Sequence, residues 1–195
     1  MAIKLPKSLL WISGPTVEAL LKFYDYPHPK KTGEIIEGYD KGHALRTAKM
    51  CAAVARNLGH DEKVVCNYQI ACLLHDLGRA GLDEKLFGKI WSWASAHEIP
   101  TRPLEWREKY PETEYGKETE AFWDMYCSQL QEIGVKNTDW AKEQIEMRLG
   151  YARRFNKQIK NIKPKLRKQG IEWTDWMEKV VLYYYYPEKL DNVPN

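Results

Sequence analysis

The dipeptide His75-Asp76 closes the apolar run Ile70-Ala71-Cys72-Leu73-Leu74 and stands just before Gly78. Val64, Tyr68, Ala71, Cys72 and His75 recur at helical spacing, which predicts that His75 lies on the inward stripe of its helix. A buried carboxylate without a partner costs several kcal/mol or neutralises itself, and a divalent metal ion satisfies a carboxylate and an imidazole together. Gly78 reads as the stop that places both side chains in a last helical turn. His43 follows Gly42 and opens a second segment in which Thr47, Met50 and Val54 fall at i+4, i+7 and i+11, so it too is expected to face inward.

These residues need elements that bring them together. The helix from His43 is predicted to end at Asn57-Leu58-Gly59, and the next to begin near Asp61, whose Asp-Glu pair suits a helix N-terminus. In an antiparallel helical hairpin, a histidine that starts the first helix and one that ends the second come to the same end. Before the pair, a short helix over 16–24 is expected, with Thr16 as its cap. After it, Asp83 can cap a helix with Leu86, Ile90, Trp93 and His97 on one stripe. His97 is then either a core histidine bonded to backbone or a further site residue that meets substrate phosphate or a second metal. Pro100, Pro103 and Pro111, with Arg102, Trp106, Arg107 and Tyr110, predict an irregular aromatic and basic segment suited to a substrate mouth. A helix over 117–133, another capped at Asn137-Thr138-Asp139 and running through Tyr151 and Phe155, and a last one from Asp175 complete an all-α pattern.

Gly42-His43 at the start of one apolar helix, and His75-Asp76-Leu77-Gly78-Arg79 at the end of the next, resemble the HD superfamily of metal-dependent phosphohydrolases, whose pattern is H…HD…D. The resemblance is good over about residues 40 to 82. It implies an all-α fold of about six to eight helices, with His43, His75 and Asp76 as three of four metal ligands. For the fourth, Asp191 has the expected chemistry, while the register of Pro187-Glu188-Lys189-Leu190-Asp191 puts Glu188 in the family's aspartate position. The resemblance further implies one or two divalent ions (Mn, Fe, Co, Ni, Zn or Mg), Asp76 as the catalytic carboxylate, and a small phosphorylated substrate, a nucleotide or a related phosphate ester. Arg79, next in sequence, and Arg46, one turn from His43, are candidates to offset phosphate charge, with His97 and Arg102 as further substrate contacts. Arg79 stands at the +3 position where some nucleotidase members carry glutamate. Two other readings of the same fold are a metal- and nucleotide-binding sensor without turnover and a diiron oxygenase.

Length and composition bound the rest. A chain of 195 residues is read as one domain over 1–195, with a metal-site helix pair at 40–82 and further helices at 83–195. Four cysteines without CxxC spacing suggest reduced thiols and a cytoplasmic protein, and no apolar run is long enough for a membrane span. Residues 151–170 hold eight Lys or Arg and no acid, but acids elsewhere nearly cancel them to a formal net charge of +3. By that count the basic face is solvated and nucleic acid is not expected as a partner. The tyrosine run at 183–186 is expected to pack in the core or in a homodimer contact.

Overall fold

The computed structural model describes residues 11–28, 31–38 and 41–182, and they form an all-α protein with nine α-helices among the described residues. The order is α1 (Gly14–Leu21), α2 (Lys41–Asn57), α3 (Glu62–Leu73), α4 (Glu84–Ala96), α5 (Pro103–Lys109), α6 (Glu118–Glu132), α7 (Asp139–Leu149), α8 (Tyr151–Lys168) and α9 (Asp175–Leu182). Tight 3₁₀ turns occupy Lys22–Tyr24 and Leu77–Arg79. Among the described residues the strand content is one antiparallel pair, β1 (Tyr26–Pro27) and β2 (Ile35–Ile36), with Tyr26 opposite Ile36. No described helix is long and apolar enough to cross a membrane.

Caps set several boundaries. Asp61 accepts the Val64 amide at 2.8 Å and starts α3, and Asp83 accepts the Leu86 amide at 3.0 Å and starts α4. At α1 the cap is Ser13, not Thr16, which instead gives its own amide to the Ser13 hydroxyl. The segment at 100–111 is less irregular than expected, because Pro103 sits in the first turn of α5, where a missing N–H costs nothing. The long helix expected from Thr138 is two helices broken at Gly150, where a Cβ would collide with the Glu146 carboxylate. α8 runs through Pro164, which lies on its exposed side.

Among the described residues, two large hydrophobic clusters and a small third one of Ala52, Ala55 and Val65 fill the interior. One large cluster joins α1, α2, α3, the Leu77–Arg79 turn, α8 and α9 through Leu20, Tyr24, Leu73, Leu77, Tyr151 and Phe155. The other joins α4, α5, α6 and α7 through Ile90, Trp91, Trp106, Phe122 and Ile145.

The inward face of α2 differs from the sequence expectation. Ala44, Ala48, Ala52 and Ala55 are buried, whereas Met50 and Val54 are 64% and 58% exposed. Alanines let α2 lie close against α3, and the bulkier apolar residues that suggested a core stripe fall on the outside. Apolar size alone therefore picked the wrong face. His43 sits at the boundary between the two faces, its side chain 44% exposed, rather than inside.

Candidate metal centre

α2 and α3 run antiparallel as a hairpin, so the start of α2 and the end of α3 share one end of the molecule. His43 lies in the first turn of α2. His75 and Asp76 stand just beyond α3, which ends at Leu73, in the short link to the 3₁₀ turn that contains Gly78. Departure from the helix turns both side chains toward His43. His43, His75 and Asp76 offer ligand atoms that all lie within 4.8 Å of one another.

The separations suit a common ion. His43 Nε2 and His75 Nε2 are 3.2 Å apart, His75 Nε2 is 3.3 Å from Asp76 Oδ2, and His43 Nε2 is 3.7 Å from the same oxygen. Two ligand atoms about 2.1 Å from one ion stand about 3.0 Å apart at a right angle and about 3.4 Å at the tetrahedral angle. The two shorter separations fall in that interval and the third slightly outside it. His75 Nδ1 is 2.7 Å from the Cys72 carbonyl, which can only accept, so the proton of a neutral ring is on Nδ1 and the Nε2 lone pair points into the cluster. Asp76 divides its oxygens: Oδ1 is 2.9 Å from Arg79 Nη1, and Oδ2 faces the imidazoles.

Burial alone would lower the His75 pKa, but the hydrogen bond and charge of Asp76 outweigh it and the net shift is upward. Burial likewise works to raise Asp76, yet the His75 hydrogen bond, Arg79 and the histidine charges hold it below the usual carboxylate range. Both shifts favour an ion pair between the His75 imidazole and the Asp76 carboxylate in the metal-free protein. Asp76 is 7% exposed while His43 and His75 are 44% and 25% exposed, which makes a cluster with a buried floor and an open side.

Distant residues fix the turn. The Tyr24 hydroxyl donates to the Leu73 carbonyl at 2.7 Å and accepts the Asp76 amide at 3.3 Å. Burial, then the Asp76 charge, push its pKa far up, so it stays a donor. The Tyr151 hydroxyl donates to the His75 carbonyl, and its ring lies against Gly78 and beneath the Arg79 guanidinium. Arg154 donates to the Ala80 carbonyl at 2.8 Å, and Gln144 accepts the Asp83 amide at 2.9 Å. These braces reach across 49 to 76 positions. No local sequence signal distinguishes Tyr24 or Tyr151 from an ordinary core tyrosine.

The remaining expected site residues are placed as follows. Arg79 joins the cluster through Asp76. Arg46 is exposed on α2, one turn beyond His43. His97 does not face inward: it caps the end of α4, is exposed, and gives its ring to Trp93 through Nδ1 to the Trp93 carbonyl at 2.8 Å and through ring contact. The buried stripe of α4 is Ile90, Trp91 and Ala94, and the helix ends before His97 can continue it. Arg102 precedes α5, is 57% exposed, and lies 3.8 Å from Glu105. His97 ends α4 and Arg102 precedes α5, and neither is among the residues whose ligand atoms converge at the His75-Asp76 turn. Asp191 and Glu188 lie outside the described residues.

Residues 41–130 match the model of the HD domain family. No curated protein and no solved structure matches the chain. The matched stretch begins at the first residue of α2 and ends within α6, and it contains His43, His75, Asp76 and Arg79. HD domains are typically metal-dependent hydrolases, and the paired imidazoles with one adjoining carboxylate are the donor set such a domain presents. Residues 41–130 of the chain thus carry an HD domain.

Proposed function

We propose that this protein is a divalent-metal-dependent phosphohydrolase acting on a nucleotide or a related phosphate ester. The observation that carries the reading is the convergence of His43 Nε2, His75 Nε2 and Asp76 Oδ2 at the open end of the α2–α3 hairpin. These three hold the ion in this reading, with Asp191 or Glu188 as the fourth ligand. Two nitrogens and hard oxygens suit Mn, Fe, Co, Ni or Zn, with Mg the least favoured by imidazole. A bound divalent ion supplies Lewis acidity at a phosphoryl group and neutralises its charge.

The chain's own residues supply the rest. His75 is held by the Cys72 carbonyl so that Nε2 is available. Arg79 ties down Asp76 Oδ1 and so acts as a positioning residue for the carboxylate; at 28% exposure it also borders the open side, where a phosphate would meet a cation. Arg46 extends that cationic edge on α2. His97 and Arg102, both exposed, stay in this reading as the further substrate contacts.

The test is metal content by mass spectrometry on untagged protein, wild type beside His75→Ala and Asp76→Ala. The same samples are assayed for phosphate release from a nucleotide panel and an aryl phosphate. The expected result is a bound transition metal and turnover, both lost in the two variants. Stoichiometric metal with no turnover on any ester rejects hydrolysis, and a wild-type protein that takes up no metal rejects the centre itself.

A further inference from the structure

Counted along the sequence, the cations of α8 are balanced by acids elsewhere; among the described residues, acids pair with only three of the eight. The acids near α8 go to its inner cations. Arg153 binds Glu118 at 2.7 Å and Glu146 at 3.3 Å, Arg154 binds Glu143 at 3.1 Å, and Lys163 binds Glu178 at 3.3 Å. Lys157, Lys160, Lys165, Arg167 and Lys168 are exposed and make no ion pair among the described residues. At about 100° per residue these five fall within a face roughly 160° wide, with Asn161 and Pro164 between them. From Lys157 to Lys168 the face is roughly 16 Å long.

We propose that this face of α8 binds the phosphate backbone of a nucleic-acid duplex without reading its sequence. A strip of that length spans about ten phosphate charges of a duplex, an arrangement that local carboxylates cannot imitate. The face carries no exposed aromatic side chain on which a splayed base would stack, which favours a backbone contact over recognition of single strands. A membrane surface fits less well. An interfacial helix must bury its own apolar face in lipid, and that of α8 (Tyr151, Phe155, Ile159, Ile162 and Leu166) is already buried in the core.

The experiment is fluorescence anisotropy of a labelled 20-base-pair duplex, as DNA and as RNA, against the full chain in chelator, which removes any dependence on hydrolysis. With four or five phosphate contacts, affinity falls roughly 150- to 500-fold between 50 and 200 mM salt. The triple variant Lys157→Gln, Lys160→Gln, Lys168→Gln leaves one or two contacts and a fall of only about 3- to 12-fold. Lys163 is untouched, so its pairing with Glu178 and the packing of α9 persist. Lys85→Gln, Lys117→Gln, Lys136→Gln removes the same charge from exposed positions elsewhere, and it should keep the wild-type slope. Equal weakening by both triples would mean a net-charge effect and overturn the assignment to α8. So would the absence of duplex binding at 50 mM salt, or binding to vesicles of anionic phospholipid in preference to either duplex.

Discussion

Gly78→Ala tests how the His75-Asp76 turn is held. A Cβ at Gly78 would lie 2.7, 3.0 and 3.1 Å from three ring carbons of Tyr151, where ordinary contact begins near 3.4 Å. The ring has nowhere to go: Tyr151 is fully buried, packed with Phe155, and tethered through its hydroxyl to the His75 carbonyl. The turn must move instead, and it carries Asp76 at one end and Arg79 at the other. Overpacking of this kind costs about 1–3 kcal/mol. For a chain of this size each kcal/mol lowers the melting temperature by about 2–4 °C, so a fall of roughly 2–12 °C is expected. Metal titration should show weaker binding in the same variant, since Asp76 Oδ2 is displaced from the imidazoles. The second arm is Tyr151→Leu alone and combined with Gly78→Ala. Removing the ring makes a cavity and is destabilising by itself, but it opens the space that the new methyl needs, so the double variant should be less destabilised than the sum of the singles. A Gly78→Ala protein that melts with the wild type and binds metal equally, or strict additivity in the double, would refute the close-approach argument.

Three further outcomes follow from the same structure. In chelator, the difference in melting temperature between wild type and Asp76→Asn should be largest between about pH 4 and 6.5. The raised His75 pKa contributes stability below its ordinary value of 6.5 and loses it as pH climbs through the folded value; the lowered Asp76 pKa contributes above its ordinary 3.8 and loses it as pH falls through the folded value. A difference that is the same at pH 5.5 and 8.5 would sink that account. Metal should reverse the trend, because imidazoles must be neutral to ligate, so the stabilisation on adding metal should grow from pH 6 to 8; a constant increment counts against histidine ligation. On α2, Met50→Gln and Val54→Gln should each change stability by no more than about 0.5 kcal/mol, whereas Ala48→Leu should cost about 1–3 kcal/mol in urea unfolding. The opposite ranking would mean that the helix presents its other face to the core.

The sequence by itself determined the all-α class, the caps at Asp61 and Asp83, and the pairing of His43 with His75-Asp76. Those are local signals: side-chain oxygens capping nearby amides, apolar periodicity, and a hairpin short enough that antiparallel helices put its two ends together. It misjudged which way helices face where the local pattern was ambiguous. On α2 a run of small and large apolar residues fits two stripes, and only contact with α3 decides that the alanines go inside. The apolar stripe of α4 stops with the helix at Ala96, one residue before His97. Tertiary structure alone decided the rest: Tyr24 and Tyr151 meet the HD turn from far along the chain, and acids at 118, 143, 146 and 178 pair with the inner cations of α8 rather than with its outer ones. Charge can be summed along a sequence, but its field depends on where the opposite charges stand, and that is fixed only when the helices pack.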